Sequence, residues 1–240
     1  MIEPNPFYDA IEGTWPPART KAVGPWLIRD GRGGGKRVSA AIATCAITDG
    51  DVPEAEAAMR GLGQVPLFMI RCDDIALDAM LARRGYTMVD PTNGYCIAPG
   101  QLTDIPIPRV TTFAIWEPLA IMGEIWAKGG IRPARLDVMA RAKIKTGILA
   151  RWNEKPAGAA FVALHDGIAM VHAVEVLPHQ RRQGVAQWIM RQAAFWAQDQ
   201  GAATLAVLTT ASNDAANGLY QRLGFQPLPG YHYRTAPEDT

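Results

Sequence analysis

Val174-Glu175-Val176-Leu177-Pro178-His179-Gln180-Arg181-Arg182-Gln183-Gly184-Val185-Ala186 is the stretch where chemistry concentrates. An apolar run from Ile168 leads into it, and an amphipathic run to about Gln200 leads out. Pro178 has no N–H to give to a ladder, so it ends a strand. The helix that follows begins with unpaired N–H groups and the positive end of its dipole, which together attract anions. Arg181 and Arg182 add charge suited to bidentate phosphate contacts. Gly184 and Ala186 carry little or no side chain, so a ligand can approach the backbone closely. The turn formed by Arg181, Arg182, Gln183, Gly184, Val185 and Ala186 has the chemistry of a pyrophosphate cradle.

Val176-Leu177-Pro178 followed by Arg181 to Ala186 resembles the acetyl-CoA motif of the GNAT N-acetyltransferases. That pattern is Arg or Gln, two residues, Gly, one residue, then Gly or Ala; Arg181, Gly184 and Ala186 match it. A second stretch, Asn213-Asp214-Ala215-Ala216-Asn217-Gly218-Leu219-Tyr220-Gln221-Arg222-Leu223-Gly224-Phe225, resembles the family's Asn…Ala…Leu-Tyr…Leu-Gly-Phe signature. The two stand in the family's order. The resemblance covers about residues 109 to 234. It implies an α/β (α+β) fold of the acyl-CoA N-acyltransferase type, with a mixed central sheet flanked by helices. It also implies acetyl-CoA as cosubstrate, no metal, and acetyl transfer to a primary amine of a small molecule or peptide. Two other functions stay open: a non-catalytic CoA-binding sensor or interaction module, and transfer of a longer acyl group.

Amine acetylation requires a held pyrophosphate, a polarised carbonyl, a deprotonated amine and a re-protonated thiolate. By resemblance, the backbone of Val174 to Val176 lies along the pantetheine arm beside a bulge. A main-chain N–H near Val176 then faces the oxyanion, since a bulge frees donors from the ladder. Tyr220 matches the family's acid; a phenol near pKa 10 can donate to a thiolate whose thiol pKa is about 8.5. Asn213 either contacts the pantetheine amides or caps the helix. Strand alternation puts Glu175 on the face opposite Val174 and Val176, where it is the candidate base. His172 shares the facing of Val174 by the same count. Trp116, Trp126 and Trp152 are candidates for an acceptor pocket or for core.

The remaining elements frame these residues. Strands are expected at Trp26–Arg29, Val38–Ala46, Leu67–Arg71, Tyr86–Val89 and Tyr95–Ile97, and helices at Phe7–Gly13, Val52–Leu62 and Asp74–Arg84. Gly31-Arg32-Gly33-Gly34-Gly35-Lys36-Arg37 lacks the Ser or Thr of a Walker motif after its Lys and reads as a hairpin loop. Asp104 to Pro108 reads as a linker. From Arg109 follow a strand, helices over Glu117–Ala127 and Pro133–Lys143, and three antiparallel strands over Thr146–Trp152, Ala157–Leu164 and Ile168–Val176. Then come the long helix, a strand at Ala203–Leu208, a helix at Asp214–Leu223, and a closing hairpin of Phe225–Leu228 and Tyr231–Arg234. Leu67 to Tyr86 faintly repeats Leu205 to Phe225, with Leu81 where Tyr220 stands. Residues 1–105 are therefore expected to form a degenerate N-terminal copy and 106–240 the catalytic domain.

The net charge of +1 gives no reason to expect nucleic acid or a bilayer as partner. Three cysteines without metal-ligand spacing suit a reducing compartment, and no signal segment or membrane-spanning run is evident, so a cytoplasmic monomer or homodimer is expected.

Overall fold

Local sequence closes the central hairpins. Asn153 and Glu154 have φ of 48° and 62°, and Asp166 and Gly167 have φ of 44° and 78°. Two successive left-handed residues make the turn whose twist matches paired strands. The computed structural model describes residues 4–237. Its elements are α1 (Pro4–Thr14), β1 (Arg19–Val23), β2 (Trp26–Asp30), β3 (Ile42–Ala43), α2 (Val52–Gly61), β4 (Leu67–Arg71), α3 (Ile75–Arg83) and β5 (Thr87–Ile97). They continue with β6 (Thr112–Ile115), α4 (Ala120–Lys128), α5 (Pro133–Arg141), β7 (Ile144–Trp152), β8 (Lys155–His165), β9 (Ile168–Val176), α6 (Val185–Asp199), β10 (Thr204–Thr210), α7 (Asp214–Arg222) and β11 (Gln226–Thr235). The expected reading of Met1 to Glu3 lies outside the described residues.

The chain forms two units, and neither is continuous. The first holds residues 1–16, 94–208 and 214–228; the second holds 17–93, 209–213 and 229–240. The division differs from a single cut at residue 105. The ends of two strands explain it: residues 94–97 of β5 belong to the first unit, and 229–235 of β11 to the second.

In the first unit the strand order is β11-β5-β10-β9-β8-β7-β6. β6 to β9 are antiparallel neighbours, and β9 runs parallel to β10. Helix α6 covers one face, burying Val185, Ile189, Met190, Ala193, Ala194 and Ala197 against Ala160, Val162 and Val171. The apolar residues recur at helical spacing, so burial of that stripe drives the packing. On the other face α1 and α4 lie on β8 and β9. α1 brings Trp15 against Phe161 and His172, at ring distances of 5.9 and 5.0 Å. Arg191 of α6 is buried, and its guanidinium donates to the Leu102 carbonyl at 2.9 Å and to Asp104 at 2.5 Å. That pair anchors the start of the segment expected as a linker.

In the second unit β1-β2-β3 form an antiparallel sheet, and β4, β11 and β5 are neighbours in that order. Ala41, just before β3, makes a parallel bridge to Phe68 in β4. The core gathers Trp26, Ile28, Val52, Met59, Phe68, Leu81 and Tyr86. Three expectations are corrected here. The strand expected at Val38–Ala46 is one turn of 3-10 helix over Lys36–Val38 and the short β3. The strands expected at Tyr86–Val89 and Tyr95–Ile97 are one strand, β5. The closing hairpin is also one strand, β11. Pro229-Gly230 reads as a turn, but a Cβ at Gly230 would stand 2.0 Å from the Thr92 carbonyl oxygen. The glycine lets the two backbones pass closely instead of turning.

Candidate active site

The candidate anion cradle lies at a break between β9 and α6. One turn of 3-10 helix over Pro178–Gln180 follows the strand. Arg182 and Gly184 then adopt φ of 61° and 79°. Alternating left-handed residues turn successive N–H groups inward, the geometry of an anion-binding concavity. Gly184 is the N-cap of α6 and supplies no side-chain cap. The Trp188 N–H donates to the Gly184 carbonyl at 3.1 Å. The N–H groups of Val185, Ala186 and Gln187 therefore have no carbonyl beneath them. Arg181, Arg182, Gln183 and Gly184 are all exposed. The Arg181 Nε donates to the Val176 carbonyl at 3.1 Å, which folds its guanidinium over the strand end.

β9 opens toward β10 next to this cradle. The parallel ladder runs from Ile168↔Thr204 to Val171↔Val207 and stops there, while β9 continues to Val176. On its other side the Leu177 N–H donates to the Ala157 carbonyl at 2.9 Å. In an antiparallel ladder the next pair, Val176 with Gly158, is then a non-hydrogen-bonded pair. The N–H of Val176 consequently points away from β8, along the edge of β9 that has left its parallel neighbour. Val174 and Val176 pack toward the α6 side. A Cβ at Gly158 would stand 2.7 Å from the Glu175 carbonyl oxygen and 3.2 Å from Val185. Glycine here lets the start of α6 settle onto the sheet.

A bulge interrupts β9. The register shifts between Ala159↔Glu175 and Phe161↔His172, and Ala173 has φ of 51°. One residue too many on β9 reverses the alternation. His172 and Glu175 therefore share the α1/α4 face, which corrects the expectation that His172 faces with Val174. The Trp126 Nε1 donates to the Ala173 carbonyl at 2.9 Å, holding the bulge. Trp126 is a core residue with a structural hydrogen bond, and Trp152 packs on the α6-side core. Trp116 stacks near Phe161 at 5.9 Å, with the Lys145 ammonium 4.9 Å from its ring.

On that face the Glu175 carboxylate lies against Gly129, in the turn between α4 and α5. A Cβ at Gly129 would stand 2.2 Å from its Cδ. No cation forms an ion pair with Glu175 among the described residues. Burial pushes its carboxyl above the usual range, and the charges of Arg181 and Arg135 pull it partly back. His172 is 5% exposed and lies 3.0 Å from the Thr14 hydroxyl.

Tyr220, on α7, is 3% exposed. Its ring packs on Tyr95 at 5.7 Å and Phe225 at 5.6 Å. The Tyr95 hydroxyl donates to Asn217 at 2.8 Å. Among the described residues the Tyr220 hydroxyl has no hydrogen-bond partner. Burial, and then the Tyr95 phenol, raise its pKa, so it remains a proton donor. Asn213 belongs to the second unit, where its N–H donates to the Thr210 carbonyl at 3.0 Å.

Gly158 was not legible as a site residue, because it has no local pattern, and neither was the hydrogen bond of Trp126, whose partner is 47 residues away. Among the described residues no group of three His, Cys, Asp or Glu side chains could hold a metal, and no helix is long and apolar enough to cross a membrane.

Comparison with known proteins agrees with this geometry. The chain is 27% identical over 232 residues to "Uncharacterized N-acetyltransferase YobR" of Bacillus subtilis (strain 168), covering 92% of this chain and 94% of that one. Its fold is similar to a GCN5-related N-acetyltransferase from Kribbella flavida, with TM-score 0.77, 21% identity, and coverage of 100% and 97%. It is also similar to a tandem GNAT protein from the clavulanic acid biosynthesis pathway, with TM-score 0.60, 13% identity, and coverage of 95% and 87%. Residues 118–225, which hold the α6 turn, the bulged strand and Tyr220, match the model of the acetyltransferase (GNAT) family.

Proposed function

We propose that the chain moves the acetyl group of acetyl-CoA directly to a primary amine. The observation that carries this is the uncapped, arginine-flanked start of α6 beside a strand that has parted from its parallel neighbour. Acetyl-CoA supplies an activated thioester. The N–H groups from Gln183 to Ala186, with the charges of Arg181 and Arg182, hold its pyrophosphate. The freed edge of β9 at Val174 and Val176 receives the pantetheine amides, and the Val176 N–H stabilises the charge that develops on the thioester oxygen.

Glu175 and Tyr220 divide the proton transfers. Glu175 takes the proton from the amine on the α1/α4 face, directly or through a water. Burial raises its carboxyl, which makes it a stronger base than an ordinary glutamate. Tyr220, on the α6/α7 side, protonates the leaving thiolate. The second half, from residue 106, contains no cysteine. Cys96 belongs to the first unit, but burial raises its thiol and alternation turns it away from the face of Tyr95. Both facts favour direct transfer over an acetyl-enzyme.

The first half reads as a degenerate copy of the second. β1-β2-β3-α2-β4-α3-β5 repeats the order β7-β8-β9-α6-β10-α7-β11. The turn before α2 is the counterpart of the cradle, but it carries Asp49 and Asp51, with Glu54 in the first turn of the helix. Thr48 and Asp51 cap each other's backbone there, at 2.7 Å for the Thr48 N–H. Negative charge and a closed cap leave no place for a pyrophosphate.

The test is release of free CoA thiol across a panel of primary amines, with thermal stabilisation by acetyl-CoA alongside. Amine-dependent thiol release supports the transferase. Stabilisation with no amine-dependent release from a broad panel would favour a CoA-binding sensor.

A further inference from the structure

The turn between α4 and α5 lies against the Glu175 carboxylate through Gly129, so an amine at Glu175 is next to this turn. The turn is held in place. Trp126, in the last part of α4, is pinned to the Ala173 carbonyl, and the Ile131 N–H donates to the Trp126 carbonyl at 2.8 Å. Residues 128–135 read Lys-Gly-Gly-Ile-Arg-Pro-Ala-Arg and contain no acid. Lys128, Arg132 and Arg135 are exposed, and none forms an ion pair among the described residues. Three cations within eight residues contrast with a net charge of +1 for the whole chain.

This arrangement is wrong for a simple cationic amine. An ammonium group passing the turn would meet three exposed cations, offset only by Glu124 and Asp137 in the flanking helices. It suits a molecule whose own negative group neutralises the turn while its amine faces Glu175. We propose that the α4–α5 turn selects an acceptor carrying both an amine and an anionic group, a carboxylate or a phosphate, with Arg135 as its principal contact. Arg135 is exposed in the first turn of α5 and unpaired among the described residues, and its charge, after that of Arg181, pulls the Glu175 carboxyl down. Its guanidinium is free to grip a carboxylate or phosphate with two parallel hydrogen bonds.

This inference rests on the transferase reading above, and matched acceptors test it separately. The pairs are an amino acid with its carboxamide, and an aminoalkyl phosphate with the corresponding amino alcohol. Rates are taken as kcat/KM, and binding of the same molecules to the CoA-saturated protein is measured by calorimetry, so selection is read even without turnover. The anionic member of at least one pair is expected to be preferred by roughly tenfold or more, the scale of one bidentate charge-assisted contact. The pair that shows the preference identifies carboxylate or phosphate. Arg135→Gln should raise KM for the anionic acceptor and erase the preference, Arg135→Lys should keep part of it, and acetyl-CoA affinity should hold in both. Equal or better use of the neutral members, or an Arg135→Gln effect confined to acetyl-CoA binding, would overturn the proposal. Clear binding selectivity without thiol release from any acceptor would instead count against the transferase reading.

Discussion

Trp126 and Ala173 are joined by a single hydrogen bond, from the indole N–H to the carbonyl at 2.9 Å. It spans α4 and β9 and fixes the bulge that turns His172 and Glu175 to one face. Trp126→Phe removes the donor and some volume while keeping an aromatic core residue. The expected cost is about 1–3 kcal/mol in denaturant unfolding, combining a lost hydrogen bond with a small cavity. Turnover should fall more than acetyl-CoA affinity, because the cradle at Gly184 is built separately. Full turnover in Trp126→Phe would show that the bulge holds itself.

Gly129 faces Glu175 with a backbone that any residue can adopt, φ −83° and ψ 6°. Space, not conformation, requires glycine here. Gly129→Ala should displace the carboxylate and lower kcat, with melting temperature and acetyl-CoA affinity nearly unchanged. An unaltered kcat would mean that the carboxylate has no fixed place in the reaction.

The base role proposed for Glu175 links rate to pH. Burial raises its carboxyl above the unfolded value. As a base it must be ionised, so kcat should fall as pH drops through that raised value. The stability effect has the opposite sense. A raised folded-state pKa gives stability that is present below the unfolded value, about 4.3, and is lost as pH rises through the folded one. At neutral pH the ionised carboxylate therefore opposes folding. Glu175→Gln should raise the melting temperature near pH 7, with a gain that shrinks toward pH 4, while removing the acid limb of the rate profile. A variant that melts lower at pH 7 would point to a structural ion pair.

Tyr220→Phe isolates the proposed proton donor, since the ring contacts with Tyr95 and Phe225 remain. The expected loss is roughly a hundredfold to ten-thousandfold in turnover at saturating acetyl-CoA, with folding and affinity preserved. Near-normal turnover while chemistry limits the rate would make Tyr220 a packing residue only.

The turn that leads from β9 into α6 was legible because its signals are local: a proline that ends a strand, and a glycine at a left-handed position before the helix. The order of strands and helices in the second half was legible from periodicity and turn residues. What was not legible depends on distant partners. Strict alternation misplaced His172: the resemblance implied a bulge beside Val174 to Val176, but no local pattern puts the extra residue at Ala173, whose support comes from Trp126. Pro229-Gly230 has turn composition, yet Gly230 serves close passage of the Thr92 carbonyl. The amphipathic pattern of α1 marks a buried face but not that β8 and β9 are what it covers. The two discontinuous units follow from the strand ends of β5 and β11, which no local pattern encodes.

The most direct measurement is calorimetric titration of acetyl-CoA into the whole chain. The turn at Gly184 is uncapped and basic, whereas the turn at Asp51 is capped and acidic. One site per chain is therefore expected. In Gly184→Ala a side chain must adopt φ 79°, at a cost of about 1–2 kcal/mol, and its methyl stands where the anion approaches; affinity should drop roughly tenfold or more. Asp51→Asn weakens the Thr48 cap, so it should lower the melting temperature slightly at neutral pH, fading as pH falls because the carboxyl is held low by Thr48, and leave affinity unchanged. One site that is weakened in folded Gly184→Ala and retained in Asp51→Asn is the predicted result; two equivalent sites, or full affinity in Gly184→Ala, would contradict the account.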